Sequence, residues 1–247
     1  MLLTLDIGNT NIKSGLFVND QLNDFKTHQT IDSVLAYIKQ IDYSNVAVCS
    51  VNPTLEKNIF DEISSTQITF FKAKVNQKFN LKINYQTPYT LGMDRVCSAV
   101  GALELSLKSK LLSDKQFLIT VDLGTATTIN VVSPEKKFIG GSIAPGIRTM
   151  LSSLNEKTAQ LPMLGLESYQ GLIGNSTESS MVSGVINATI GMINEVMDKL
   201  KSESNHTPVI FVTGGNSNFI LPHLKFKVNF EEALVLKGLK NIYDLNN

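Results

Sequence analysis

The sequence predicts an α/β fold made of two duplicated halves. Three observations carry that expectation. Strands alternate with amphipathic helices along the chain. A three-strand meander stands at the start of each half. The segment Asp6-Ile7-Gly8-Asn9-Thr10 returns as Asp122-Leu123-Gly124-Thr125-Ala126 at an offset of 116 residues. Repetition at half the chain length indicates a duplicated domain, since solenoid repeats recur every ~20–50 residues. The expected lobes are residues 1–115 and 116–247. A chain of 247 residues, 43% of them hydrophobic, is long enough to bury one large core or two smaller ones.

In the first half, Leu2–Asp6 and Ile12–Val18 are apolar-rich runs, and Leu22–Thr27 follows the Asn19-Asp20 turn; together they read as the meander. Val34, Leu35, Ile38 and Ile41 fall on one face of a helix over Ser33–Ile41. Asn45–Val51 reads as a buried strand stopped by Asn52-Pro53, followed by a polar helix over Leu55–Ser64 and a strand over Gln67–Phe71. Val96, Ala99, Val100, Ala102, Leu103 and Leu107 predict a helix over Met93–Leu112. The second meander takes Phe117–Asp122, Thr128–Val132 and Phe138–Ile143, with a turn at Pro134–Lys137. Helices are expected over Ile147–Leu154, Ser176–Lys201 and Glu231–Tyr243, and a buried strand over Pro208–Val212 ending in Thr213-Gly214-Gly215-Asn216.

Composition removes several function classes. Lys plus Arg equal Asp plus Glu at 22 each, which argues against a general nucleic-acid or anionic-membrane surface. Aromatic residues are only 7% and Trp is missing, so base stacking has little to work with. Cys49 and Cys97 stand outside any C-x-x-C spacing and predict neither a disulfide scaffold nor a Cys-rich zinc site. The amino terminus lacks a basic region and reaches Asp6 after five residues, unlike a signal peptide. No apolar run approaches the ~18 residues of a membrane span. The expectation is a cytoplasmic protein.

Four segments could carry chemistry. In Asp6-x-Gly8-Asn9-Thr10-Asn11-x-Lys13 a carboxylate ends a buried strand, where it needs a cation or donors nearby. Gly8 permits close backbone approach, the following side chains supply donors and acceptors, and Lys13 can face a phosphate. An isolated D-x-G-N-T also reads as a simple Asx hairpin turn. Asp122-x-Gly124-Thr125-Ala126-Thr127-Thr128 repeats the device with more hydroxyls, and Thr213-Gly214-Gly215 lets backbone pass over a flat base. Two acidic turns from two half-chains, facing each other across a cleft, would hold a metal-bound triphosphate from both sides. The P-loop and dinucleotide glycine motifs are missing from the sequence. Fourth, Gly92-Met93-Asp94-Arg95 opens the middle helix. Asp94 there is either a first-turn acid favoured by the helix dipole or a general base. Arg95 beside it is suited to bind a carboxylate bidentately.

The ordered set D-x-G-N-T-N-x-K (Asp6–Lys13), Y-x-x-P-x-x-L-G-x-D-R (Tyr85–Arg95), D-x-G-T-A-x-T (Asp122–Thr128) and G-G-x-I-x-P-G (Gly140–Gly146) resembles the type III pantothenate kinases. Gly174-Asn175-Ser176-Thr177 and Gly184 fit a later motif of that family. These kinases belong to the acetate and sugar kinase, Hsp70 and actin superfamily. The resemblance implies two ribonuclease H-like lobes of the actin-like ATPase fold around a central nucleotide cleft. It implies ATP-dependent phosphorylation of pantothenate to 4'-phosphopantothenate, the first step of coenzyme A synthesis, with Mg²⁺ and a monovalent cation, potassium or ammonium. Carried over by position, Asp6, Ile7, Gly8, Asn9, Thr10, Asn11, Ile12 and Lys13 form the ATP phosphate loop, and Thr125 contacts ATP. Asp94 accepts the proton. Tyr85, Gly92, Met93, Asp94 and Arg95 hold pantothenate, and Thr177 reaches it across a homodimer interface. Asp122 binds the monovalent cation. Asn130 stands where many members carry a second Asp, which removes one negative charge beside that cation.

The remaining polar residues have plainer readings. His28, His206 and His223 lack metal-ligand spacing and read as surface or structural groups. Met192 and Met197 read as core or interface filler, and Glu195, Asp198, Lys199 and Lys201 as a solvated helix face. Two further functions stay open: a superfamily kinase for another small alcohol, and a non-catalytic nucleotide-binding regulator. The presence of Asp6, Asp94 and Asp122 together weighs against the regulator.

Overall fold

The computed structural model describes residues 1–63 and 68–247. The expected helix end at Ser64 and strand start at Gln67 lie outside the described residues. In chain order the elements are β1 (Leu2–Ile7), β2 (Ile12–Val18), β3 (Gln21–His28), α1 (Ile31–Ile38), β4 (Asn45–Ser50), α2 (Pro53–Ile63), β5 (Thr69–Lys72), β6 (Lys82–Ile83) and α3 (Met93–Lys108). Then follow β7 (Leu118–Leu123), β8 (Ala126–Val132), β9 (Lys137–Pro145), α4 (Ile147–Lys157), α5 (Thr177–Ser204), β10 (Val209–Thr213), α6 (Ser217–Ile220), β11 (Asn229–Phe230) and α7 (Leu234–Asn246). Among the described residues no helix is long and apolar enough to cross a membrane.

The chain divides into two units. The first comprises Met1–Leu111, Lys136–Ile139 and Ala233–Asn247. Its sheet runs β3-β2-β1-β4-β5, with β1 antiparallel to β2 and parallel to β4. Leu3, Leu5 and Ile7 of β1 pack with Val46 and Val48 of β4, under Val34 of α1 and Ile59 of α2. A central strand buried on both faces needs a continuous apolar run, and β1 has one up to Asp6.

The second unit comprises Leu112–Glu135 and Gly140–Glu232. Its strands take the order β9-β8-β7-β10-β11, the order of the first sheet repeated with the same sense: β7 antiparallel to β8, parallel to β10. Ile119, Val121, Ile129, Ile210 and Val212 pack against Val182 and Ile186 of α5. The duplication expected from the sequence is therefore present in strand order and direction. The two hairpins differ at one point. Asp6 faces Lys13, whereas Asp122 faces Thr128. The second turn closes one residue sooner, and a hydroxyl stands where the first hairpin has an ammonium.

Helix α7, last in the chain, belongs to the first unit, where it crosses α3. The crossing depends on glycine. A Cβ on Gly238 would overlap the Cys97 carbonyl, and one on Gly101 the Leu234 carbonyl. Two backbones in direct contact fix α3, and with it the residues at its first turn. Helix α3 stops at Lys108 instead of the expected Leu112. Lys110 takes a left-handed conformation (φ 53°) and the Leu111 N–H donates to the Ser106 carbonyl, closing the helix. Strands β6 and β11 have two residues each, too few to leave a periodic signal. Strand β6 lies parallel to the start of β9, pairing Lys82 with Lys137 and Ile83 with Phe138.

Gly238→Val sets a branched side chain against a carbonyl that cannot retreat. The expected outcome is a loss of about 3 kcal/mol or more in stability, read as a lowered thermal midpoint of the intact chain.

Candidate active site

Asp6 ends β1 half-buried, and its register partner on β2 is Lys13. Residues directly opposite in an antiparallel pair project to the same face, so the acid and the lysine share one face of the sheet. Between them the Gly8 N–H donates to the Asn11 carbonyl at 3.1 Å, closing the turn. Asn9, Thr10 and Asn11 are exposed, while Ile7 and Ile12 are core residues that anchor its two ends. Of the eight residues expected in the phosphate loop, these two can therefore offer a ligand only backbone.

The second cluster lies at the start of α3. Asp94 is in the first turn, after a Gly92 cap that gives no side-chain hydrogen bond. Its Oδ1 is buried and has no hydrogen-bond partner among the described residues. Burial pushes the Asp94 carboxyl above its usual range, against the lowering effect of the Arg95 backbone N–H and guanidinium. A Cβ on Gly92 would overlap Asp94 Oδ1, so a side chain there would displace that oxygen. Arg95 is only 5% exposed. Its guanidinium carbon sits 6.0 Å from the Tyr85 ring centre and 5.7 Å from that of Phe138. The two rings meet edge to face with centroids 6.0 Å apart. The three groups form a near-equilateral cluster, and cation–π contact with the two rings helps to hold the guanidinium in place. Met93 is half-buried in the same turn. Phe138 is the residue missed by sequence reasoning. Its place at the head of a strand was visible, its partnership with Arg95 was not.

Asp6 and Asp94 come to one locality. Cys49, on β4, is the register partner of Asp6, and Cys97 lies one turn along α3 from Asp94. The Cys49 thiol is pushed well up by its hydrogen bond to Cys97, by burial, and by the negative fields of Cys97, Asp6 and Asp94. Strand β4, which carries Cys49 in register with Asp6, packs against α3, which carries Asp94.

In the second unit, Asp122 ends β7 and shares a face with Thr128. The Gly124 N–H donates to the Ala126 carbonyl at 3.1 Å. Thr125 is exposed, and its carbonyl accepts from the Gly146 N–H (2.9 Å) and the Thr149 hydroxyl (2.7 Å), tying the turn to the start of α4. The Thr213-Gly214-Gly215 turn lies against the same hairpin. Gly214 has φ 101°, and a Cβ there would overlap Asp122 Oδ1 and the Leu123 backbone. Asn216 completes the contact, its amide donating to the Gly124 carbonyl at 3.1 Å. The structure thus brings together two segments that the sequence offered separately. Asn130 is fully buried, and its amide donates to the Thr120 hydroxyl at 3.0 Å. Thr177 stands exposed at the first position of α5, behind a Ser176 cap that accepts from the Ser179 N–H. His28 is buried between the hydroxyls of Ser14 (2.8 Å) and Ser33 (3.1 Å), a structural bridge from β3 to β2 and α1.

Comparison with known proteins gives the same family from two sides, and the fold from a third. The profile of the type III pantothenate kinases matches residues 2–199. A type III pantothenate kinase from Finegoldia magna is 34% identical over 264 aligned positions, spanning 100% of this chain and 98% of that protein. One from Flavobacterium psychrophilum is 32% identical, spanning 98% of each. Among solved structures, the ethanolamine utilization protein EutJ from Carboxydothermus hydrogenoformans superposes with a TM-score of 0.53 at 10% identity, over 97% of this chain and 89% of that one. That likeness concerns the fold alone.

Holding an ionised Asp94 in its buried setting costs stability. Because its carboxyl is raised in the folded chain, the stabilising form is the protonated one. That contribution is complete below the unfolded value and is lost as pH rises through the folded value. Asp94→Asn is therefore expected to gain in thermal midpoint over the parent at pH 8, with the gain shrinking as pH falls toward about 4. A difference that is constant with pH would show that burial does not perturb this carboxyl.

Proposed function

We propose, for a chain that belongs to the type III pantothenate kinase family, that it transfers the γ-phosphoryl group of ATP to the primary hydroxyl of pantothenate. The products are 4'-phosphopantothenate and ADP. The observation that carries the assignment of roles is the half-buried carboxylate of Asp94, with Oδ1 out of reach of water and unpartnered, beside a guanidinium packed against two rings.

In this reading Asp94 accepts the hydroxyl proton as the oxygen attacks the γ-phosphorus and the bond to the β,γ-bridging oxygen breaks. A base with raised proton affinity is suited to an alcohol, a very weak acid. Arg95 pairs with the carboxylate of pantothenate, and its fork geometry gives orientation as well as charge. Tyr85, Gly92 and Met93 complete that wall. The Asp6–Lys13 turn takes the phosphates: Lys13 supplies a positive charge and the exposed side chains of Asn9, Thr10 and Asn11 supply hydrogen bonds.

The oxygens of Asp6, Asn9 and Thr10 are hard donors of the kind that suit Mg²⁺. Mg²⁺ held there would supply neutralisation of the transferring charge. In the second unit we assign Asp122 to a monovalent cation and Thr125 to a nucleotide contact. The hydroxyl of Thr128 opposite Asp122 suits an oxygen-ligated cation, where an ammonium like that of Lys13 would compete with it. Asn130 donates its amide inside the sheet, so Asp122 brings the negative charge of this site. Leu172 and Ile173, shortly before Thr177 in the chain, are 75% and 83% exposed, and Met163 is 62% exposed. We assign their cover to a second copy of the chain, and light scattering in solution should then give twice 27.1 kDa.

ATP consumption is expected to require pantothenate over a panel of other small alcohols, and to rise with potassium or ammonium over sodium. Asp122→Asn should lose that cation response. Asp94→Asn should reduce turnover by about 100-fold or more while nucleotide binding by calorimetry stays near the parent value. Arg95→Ala should raise the KM for pantothenate about tenfold, as for a lost charge-assisted hydrogen bond. Pantothenate-independent ATP consumption, or turnover undiminished in Asp94→Asn, would contradict the assignment.

A further inference from the structure

At the far end of β2 from the phosphate turn, the β2–β3 hairpin, α3 and α7 surround a cavity of about 520 Å³. That volume falls in the ~300–1,000 Å³ range of small-molecule sites. Its floor is apolar, made of Phe17 and Leu22 from the hairpin and Gly101 and Leu105 from α3. The charged groups around it are engaged with one another. The Lys240 ammonium, on a side chain only 12% exposed, donates to Asp20 at 2.7 Å and to Asp244. Lys108 pairs with Glu104 at 3.2 Å. With Lys237 included, three lysines meet three carboxylates, and the lining carries no net charge. Two donors are left over. An ammonium has three N–H groups, and Lys240 uses two of them among the described residues. Asn241, the next residue of α7, makes no side-chain hydrogen bond among the described residues, and its Oδ1 is shut away from water. Its amide nitrogen is therefore the group it offers the cavity.

We propose that this cavity binds a small uncharged amide carrying an apolar body. The carbonyl oxygen accepts from Lys240 and Asn241, and the apolar body lies on Phe17, Leu22 and Leu105. The amide N–H meets a carboxylate of the lining, since an ionised carboxylate has about four lone-pair sites and the pairings above leave some unused. Charge of either sign is disfavoured. A ligand carboxylate would compete with Asp20 and Asp244 for Lys240. A ligand ammonium would compete with Lys240 and Lys108 for their carboxylates. Each would also give up its hydration on entering. A ligand without an acceptor would leave both donors facing an apolar body, which costs binding. None of the residues used here belongs to the groups assigned above to phosphoryl transfer, so the site is independent of that reaction.

The test is titration of the isotopically labelled full chain, free of nucleotide and pantothenate, with benzamide, benzoate and benzylammonium, followed by backbone amide NMR. The three probes share a ring and differ in charge. Benzamide is expected to bind saturably with a Kd of about 1–10 mM, as for a ligand of this size, and to shift the amides of Leu22, Gly101, Leu105 and Asn241. Benzoate and benzylammonium should bind at least about tenfold more weakly, because each must break an existing pair to enter. Asn241→Leu should weaken benzamide about fivefold, as for one lost hydrogen bond. Leu105→Trp fills the floor and should abolish the shifts at the other positions. Leu22→Trp does the same from the hairpin, should the first variant fail to fold. Unsaturable shifts, shifts centred outside the cavity, or a charged probe binding as tightly as benzamide would overturn the site. So would a benzamide affinity unchanged in Asn241→Leu, or undiminished in a folded variant with the cavity filled.

Discussion

A half-buried carboxylate, with one oxygen shut away from water and lacking a hydrogen-bond partner, is the constraint on which the first unit is organised. Such a group is costly, and the surrounding residues read as the means of keeping it. Gly92 leaves room for Oδ1 where any side chain would displace it. Arg95, packed against Tyr85 and Phe138, opposes the burial only in part. The α3–α7 crossing at Gly101 and Gly238 holds the helix that presents the acid. Each of these features would be hard to explain in a helix whose first-turn Asp merely complemented the macrodipole, since that role works best in contact with solvent. Strain retained against stability is a common mark of a functional group.

The duplicated hairpins show how one backbone device can be directed to two kinds of ligand. Both end a buried strand in Asp, and both close through a glycine N–H to a carbonyl at 3.1 Å. They differ in what faces the acid. Lys13 opposite Asp6 brings a positive charge, suited to phosphate, and Thr128 opposite Asp122 brings a neutral oxygen, suited to a cation. A shift of one residue in turn length is enough to make that change, because register alone decides which side chain stands across the sheet. The neutral Asn130 fits the same logic, being satisfied by Thr120 within the sheet.

Much of this was legible in the sequence, and the reason is local. Strands β1, β2 and β7 are apolar runs ended by turn residues, and α3 and α5 carry helical periodicity from near their caps. Their positions follow to within one to three residues at most ends. The Asp6, Asp94 and Asp122 segments stood out because an acid in such apolar surroundings requires an explanation. Features that depend on distant pairing left no such trace. The membership of α7 in the first unit and the packing of Phe138 on Arg95 join residues from remote parts of the chain. Helix α3 ended short of Leu112 because of backbone closure at Lys110, which competes with side-chain periodicity. The turn offset of 116 held along the first strand of each hairpin and slipped on the return, since a repeat in sequence does not fix loop length.

The most direct measurement is a carbon-13 NMR titration of aspartate carboxyls in the free protein, with the Asp94 resonance identified by its disappearance in Asp94→Asn. A midpoint clearly above the ordinary aspartate value of about 3.9 is the result that follows from a desolvated base. A midpoint at or below that value would mean that the carboxyl is solvated or ion-paired, and the account of Asp94 as the proton acceptor would fail.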